Sequence, residues 1–147
     1  AGSVTMGDGC FWAWPFERDG EFGGQGPDPA HRESLSPAFK WNIAAGANTT
    51  IAAIACDATL SKAQALRLAV MAQDGLSRAI RPVHTPLDGD TVFALATGAR
   101  PAPDVFQLAR IGALAADCLA RAVAKGVYAA QSIPGFPSWR EKWGRGG

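Results

Sequence analysis

Beyond residue 48 the chain carries two kinds of apolar pattern in alternation. Thr49 to Cys56 (Thr-Thr-Ile-Ala-Ala-Ile-Ala-Cys) is an unbroken run of small and β-branched residues, the composition of a strand buried on both faces. Ser61-Lys62-Ala63-Gln64 then matches the S-x-x-Q capping box, in which backbone donors left open at a helix start are closed by side chains. Ala65, Leu68, Ala69, Ala72, Leu76 and Ala79 follow as an apolar stripe. They predict a helix to about Ile80, ended by Pro82. Arg67, Asp74 and Arg78 lie on its other face, Asp74 and Arg78 one turn apart. Thr91 to Thr97 predicts a second buried strand, and Asp104 the cap of a longer helix ending near Gly126. The face made by Leu108, Ile111, Ala115, Cys118, Leu119 and Ala122 is wide enough to pack on a sheet, with Arg110, Asp117, Arg121 and Lys125 outward. Strand, helix, strand, helix in this order predicts a layered α/β domain. It leaves parallel and antiparallel pairing open.

The flanks are less regular. Ala1 to Met6 reads like a strand, and with no initiator Met it predicts a piece of a longer protein. Trp12, Trp14 and Phe16 alternate, as on one face of a strand, which favours core packing or a subunit interface over a substrate platform. Glu17 to Ala30 is rich in Gly and Pro and predicts a long ordered loop or a lid. Its charges, Glu17, Arg18, Asp19 and Glu21, fit a solvated loop or interface contacts, and His31 is expected at the surface. Residues 131–147 show no periodicity.

Composition narrows the classes. The chain has 147 residues, 48% apolar and 18% charged, with a net charge of +1. That suits one domain with a real core and offers no electrostatic footprint for nucleic acid or anionic membrane. No apolar run approaches the ~20 residues of a membrane-spanning helix, and no signal peptide is evident. Cys10, Cys56 and Cys118 form no metal-ligand spacing. They are expected to pack as small apolar residues in a reducing compartment, the cytoplasm.

Three features bear on chemistry. In Gly46-Ala47-Asn48-Thr49-Thr50 a turn-prone segment leads straight into a strand. If the Asn48-Thr49 bond breaks, Thr49 carries both a hydroxyl and a free α-amine. That amine, with a pKa of about 7.7–8.0, can act as base for its own hydroxyl. Taken alone the motif is an ordinary turn. Asp88-Gly89-Asp90 sets two carboxylates just before the second strand, which reads as a turn or as a functional pair on a rigid scaffold. His84, four residues before Asp88, reads as a structural loop histidine or a supporting group. No phosphate-cradling loop or metalloprotease pattern occurs.

Asn48-Thr49-Thr50-Ile51, Ser61 to Ala65 and, above all, the run from Asp74 to Gly98 resemble the DmpA-type family, the self-processing aminopeptidases and amidases related to the β-peptidyl aminopeptidases. Gly2 to Asp8, Phe11 to Glu17 and Glu21-Phe22-Gly23-Gly24 resemble its nylon-oligomer hydrolase branch, NylC and its relatives. The resemblance covers nearly the whole chain. It implies an αββα four-layer sandwich of the N-terminal-nucleophile type, of which these residues form the C-terminal part. It implies cleavage at Asn48-Thr49, with 1–48 ending an upstream subunit and 49–147 forming the nucleophile-bearing one. Thr49 would be the nucleophile, Asp88 would contact it and Asp90 would support Asp88. The interval of 39 residues from Thr49 to Asp88 accords with that branch. The family also uses an upstream Lys and Asn, and Lys40 and Asn42 fit neither place.

The implied activity is hydrolysis of linear amide oligomers such as 6-aminohexanoate oligomers, or of peptides. The alternatives are an aminopeptidase or β-peptidyl aminopeptidase, and an inactive assembly subunit. No metal or organic cofactor is implied. The implied partners are an amide oligomer or peptide substrate, the chain's own upstream segment, and further copies in a homo-oligomer of processed heterodimers.

Overall fold

The computed structural model describes residues 2–32 and 49–144. Its elements are β1 (Ile51–Ala58), α1 (Lys62–Ala79), β2 (Thr91–Arg100), α2 (Val105–Ala129) and α3 (Trp139–Trp143). The pairing left open by the sequence is parallel: Ile51 stands opposite Thr91, and the register runs unbroken to Cys56 opposite Ala96. Parallel neighbours need a crossover, which α1 supplies. β2 continues past Thr97 to Arg100 because the register shifts between Cys56 and Ala58 and Gly98 takes a φ of 72°. The Thr59 hydroxyl donates there to the Arg100 carbonyl at 2.8 Å.

Both long helices start where their caps lie. The Ser61 hydroxyl and Gln64 amide exchange hydrogen bonds of 3.3 and 2.9 Å with each other's backbone N–H. Asp104 and Gln107 do the same at 2.7 and 3.0 Å. α1 stops at Ala79. α2 runs past Gly126 to Ala129, because Val127 and Tyr128 pack on the core and hold the last turn despite the glycine. The two helices cross closely. A Cβ at Gly75 would lie 2.3 Å from the Ala116 carbonyl oxygen, and one at Gly112 would lie 2.4 Å from Met71 Sδ.

The core lies between these helices and one face of the sheet. Leu68, Ala72, Leu76 and Ala79 of α1 are buried with Ala115, Leu119, Ala120 and Ala124 of α2, and Ala52, Ile54 and Val92 pack beneath them. Burying each leucine is worth about 1.5–3 kcal/mol. The strands are not buried on both faces as their composition predicts. Ile51, Phe93 and Leu95 on the other face are 73%, 57% and 59% exposed.

Several charges expected to face solvent instead join elements. Arg78 pairs with Asp117 across the helices and lies 5.3 Å over the Phe16 ring. Arg121 and Lys125 both reach Glu21. The hydrogen bond from Arg121, followed by that from Lys125, outweighs desolvation and takes the Glu21 carboxyl from 4.5 down to about 2. Glu17 accepts from Phe22 N at 2.7 Å and Gly24 N at 2.9 Å, so this carboxylate shapes its loop rather than being solvated.

The amino-terminal segment forms isolated bridges, Ser3 to Arg81 and Thr5 to Phe11, rather than a strand. Trp14–Phe16 is a 3-10 turn, since Pro15 has no N–H for a ladder. The inward residues are Phe11 and Ala13 instead of the alternating tryptophans. The tail also has structure. Trp139 of α3 stacks on Phe11 with ring centroids 5.0 Å apart and donates from Nε1 to the Gly9 carbonyl at 2.8 Å. Of the cysteines, Cys10 is buried and its thiol pushed up to about 11 by desolvation. Cys56 is half-buried and Cys118 exposed, against the expectation that all three pack inside. His31 is half-buried.

Candidate functional site

Parallel register brings the site together. With Ile51 opposite Thr91, the two residues before each strand face one another: Thr49 meets Gly89 and Thr50 meets Asp90. The Thr91 N–H extends the ladder by donating to the Thr50 carbonyl at 2.9 Å. The Thr50 N–H donates to Asp90 Oδ1, also at 2.9 Å. The residue after Thr49 is thus held from both sides by the segment leading into β2.

Thr49 itself is exposed, and its hydroxyl lies directly against Gly89. A Cβ at Gly89 would stand 2.9 Å from Thr49 Oγ1. A side chain at residue 89 would displace the hydroxyl, so glycine is required for this close approach. Asn48 lies outside the described residues, as do Lys40 and Asn42.

The two aspartates do different work. Asp88 Oδ2 accepts from both the Thr85 N–H and the Thr85 hydroxyl, each at 2.9 Å, and the Asp88 N–H returns to the Thr85 carbonyl at 2.9 Å. This closes a turn that fixes the approach to Gly89. The Asp90 side chain is only 2% exposed. Its Oδ1 takes the Thr50 N–H, while Oδ2 stands 3.0 Å from His84 Nδ1, in ion-pair range but out of line for a hydrogen bond. His84 has a φ of 57°, in the left-handed region where His is among the tolerated non-glycine residues.

Of the residues that the sequence singles out, Thr49 lies against Gly89, Asp90 meets His84 and the Thr50 N–H, and Asp88 is held by Thr85. Three participants were not foreseen there: Gly89 as the surface under the hydroxyl, Thr85 as the anchor of Asp88, and the Thr50 N–H as the group that Asp90 holds. The first and third follow from the register, which becomes readable only once the pairing is known to be parallel.

The Thr49 hydroxyl thus stands exposed at the amino ends of two parallel strands, with the buried Asp90 carboxylate on the backbone N–H of the next residue. Residues 17–139 match peptidase family S58, and the chain belongs to that family, as its DmpA-type resemblance anticipates. It is 56% identical over 105 residues to an uncharacterized aminopeptidase of Mycobacterium tuberculosis, a match covering 64% of this chain and 30% of that protein. An uncharacterized aminopeptidase of Mycobacterium leprae is 53% identical over 103 residues, 63% of this chain and 28% of that protein. A 6-aminohexanoate-oligomer endohydrolase of Kocuria is more distant, 35% identical over 68 residues, 46% of this chain and 18% of that enzyme. The matched residues thus span under a third of the length of these mycobacterial relatives.

Proposed function

We propose that this chain carries the nucleophile of a self-processing aminopeptidase, with Thr49 exposed as a new amino terminus by cleavage of Asn48-Thr49. The observation that carries the reading is the Thr49 hydroxyl seated on Gly89, with the next backbone N–H held by buried Asp90. In the proposed reaction the Thr49 α-amine takes the hydroxyl proton and Oγ1 attacks the substrate carbonyl carbon. The amine then returns that proton to the leaving nitrogen as the C–N bond breaks. Water, deprotonated by the same amine, opens the resulting ester and regenerates Thr49. Asp90 fixes the backbone at Thr50, and the Asp88 turn brings Gly89 under the hydroxyl. Before cleavage the Thr49 nitrogen is an amide and cannot serve as base, so self-cleavage is an N-to-O acyl shift: Oγ1 attacks the Asn48 carbonyl carbon, the hydroxyl proton passes by way of water to the Thr49 nitrogen as the C–N bond breaks, and water then opens the ester, leaving residues 1–48 and 49–147 as parts of separate subunits.

The fold proposed for the complete protein is the αββα sandwich. The open apolar face with Ile51, Phe93 and Leu95 supports it, since a second sheet would cover that face, and so does the short span relative to the relatives. The aminopeptidase reading takes precedence over cleavage of oligomers because the aminopeptidases are the more similar relatives. Hydrolysis of linear amide oligomers stays as a second reading, favoured by the likeness to the Kocuria endohydrolase.

Two comparisons in the full-length protein test these readings. Thr49→Ala is expected to abolish amide hydrolysis, and retained hydrolysis contradicts the nucleophile assignment. Faster turnover of a free-amine dipeptide than of an internal amide in a 6-aminohexanoate oligomer supports the aminopeptidase, and the reverse order supports the oligomer hydrolase.

A further inference from the structure

We propose that His84 is a positioning residue for the nucleophile, acting through Asp90 on the backbone that carries Thr49. The Asp90 side chain is almost completely buried, and one of its oxygens, Oδ2, has no aligned donor among the described residues. A buried carboxylate oxygen without a donor is costly. The polar atom that stands 3.0 Å from it is His84 Nδ1. At that distance an imidazole turned to point its Nδ1–H at Oδ2 would supply the missing donor. The other oxygen, Oδ1, already holds the Thr50 N–H at 2.9 Å. A line of contacts therefore runs from the imidazole through the carboxylate to the peptide group directly after Thr49.

The backbone of His84 fits this role. Its φ of 57° is sterically disfavoured for most side chains but tolerated by His and Asn, and it places the ring beside Asp90. Without the imidazole, Asp90 is free to turn toward solvent and release the Thr50 N–H. The Thr49 hydroxyl then loses its fixed place over Gly89, and misplacement of about 1 Å costs roughly 100-fold in rate.

Three substitutions in the full-length protein separate side chain from backbone. His84→Gly removes the ring and relieves the left-handed backbone. His84→Ala removes the ring and leaves the backbone strained. His84→Asn keeps a donor, since Asn Nδ2 is bonded to Cγ as His Nδ1 is, and Asn tolerates this φ. With active sites titrated, so that unfolded protein is not counted, His84→Gly should lower kcat about 10- to 100-fold and leave KM within about twofold, as expected when alignment rather than binding is lost. His84→Asn should restore most of kcat. A purely structural histidine predicts normal kcat per titrated site in His84→Gly, and that result overturns the inference, as does failure of His84→Asn to exceed His84→Gly. The inference rests on Thr49 as nucleophile, and Thr49→Ala measured alongside tells the two failures apart. An active Thr49→Ala variant removes that foundation, whereas an inactive one beside a normal His84→Gly removes the role of His84 alone.

Discussion

A single methyl group at residue 89 would stand 2.9 Å from the Thr49 hydroxyl, closer than such atoms pack, and Thr49 is the side that must give way. Gly89→Ala should therefore fold normally yet lose activity, by about 100-fold if the hydroxyl moves by about 1 Å. Circular dichroism with steady-state kinetics separates a displaced nucleophile from an unfolded protein. At this scale the sequence showed its chemistry unevenly. Thr49, Asp88 and Asp90 stand out because hydroxyls and carboxylates just before apolar strands are visible by type. Gly89 does not, since a glycine between two aspartates reads as a turn. Its second role depends on facing Thr49 across a ladder whose direction the residues do not announce. His84 was visible as a histidine near carboxylates, but its bearing on Asp90 rather than Asp88 is a matter of three-dimensional placement.

The two long helices were legible because their signals are local. Ser61 with Gln64, and Asp104 with Gln107, close their own caps within one turn, and the apolar spacing marks the buried face. Their ends and contacts were less so. Gly126 resembles a stop signal, but packing of Val127 and Tyr128 outweighs the local preference. The helical spacing sets Arg78 one turn from Asp74, yet its partner is Asp117 on the next helix. Opposite outcomes are expected at two glycines that look alike in sequence. At Gly75 a Cβ would press on the Ala116 carbonyl at 2.3 Å, while at Gly126 it meets nothing within 4 Å. Gly75→Ala should destabilise by about 1–3 kcal/mol through forced separation of the helices. Gly126→Ala should stabilise by about 0.5–1 kcal/mol through helix propensity. Thermal melts of the two variants check the contrast directly.

For the molecule as a whole, the least legible feature is how the amino-terminal segment attaches. Glu21 on its loop meets Arg121 and Lys125 on α2, a hundred residues away along the chain, and no local pattern signals such a contact. With its carboxyl lowered from 4.5 to about 2 in the folded state, Glu21 contributes stability that is fully present above pH 4.5. That contribution is lost as pH falls toward about 2. Glu21→Gln should lower stability at neutral pH and flatten its pH dependence through that window, as read by denaturant unfolding at several pH values. The sheet is the other whole-molecule feature: its strands were predicted correctly as apolar, but their second face lies open, in keeping with a chain that spans part of its relatives' length. The proposed mechanism requires Thr49 to be a nucleophile released from within the chain. Intact-mass measurement with amino-terminal sequencing of the active full-length protein, beside its Thr49→Ala variant, tests this most directly. Two chains are expected in the active protein, the second beginning at Thr49, and one uncut chain in the variant. Hydrolytic activity from a wild-type protein that remains a single uncut chain would contradict that mechanism.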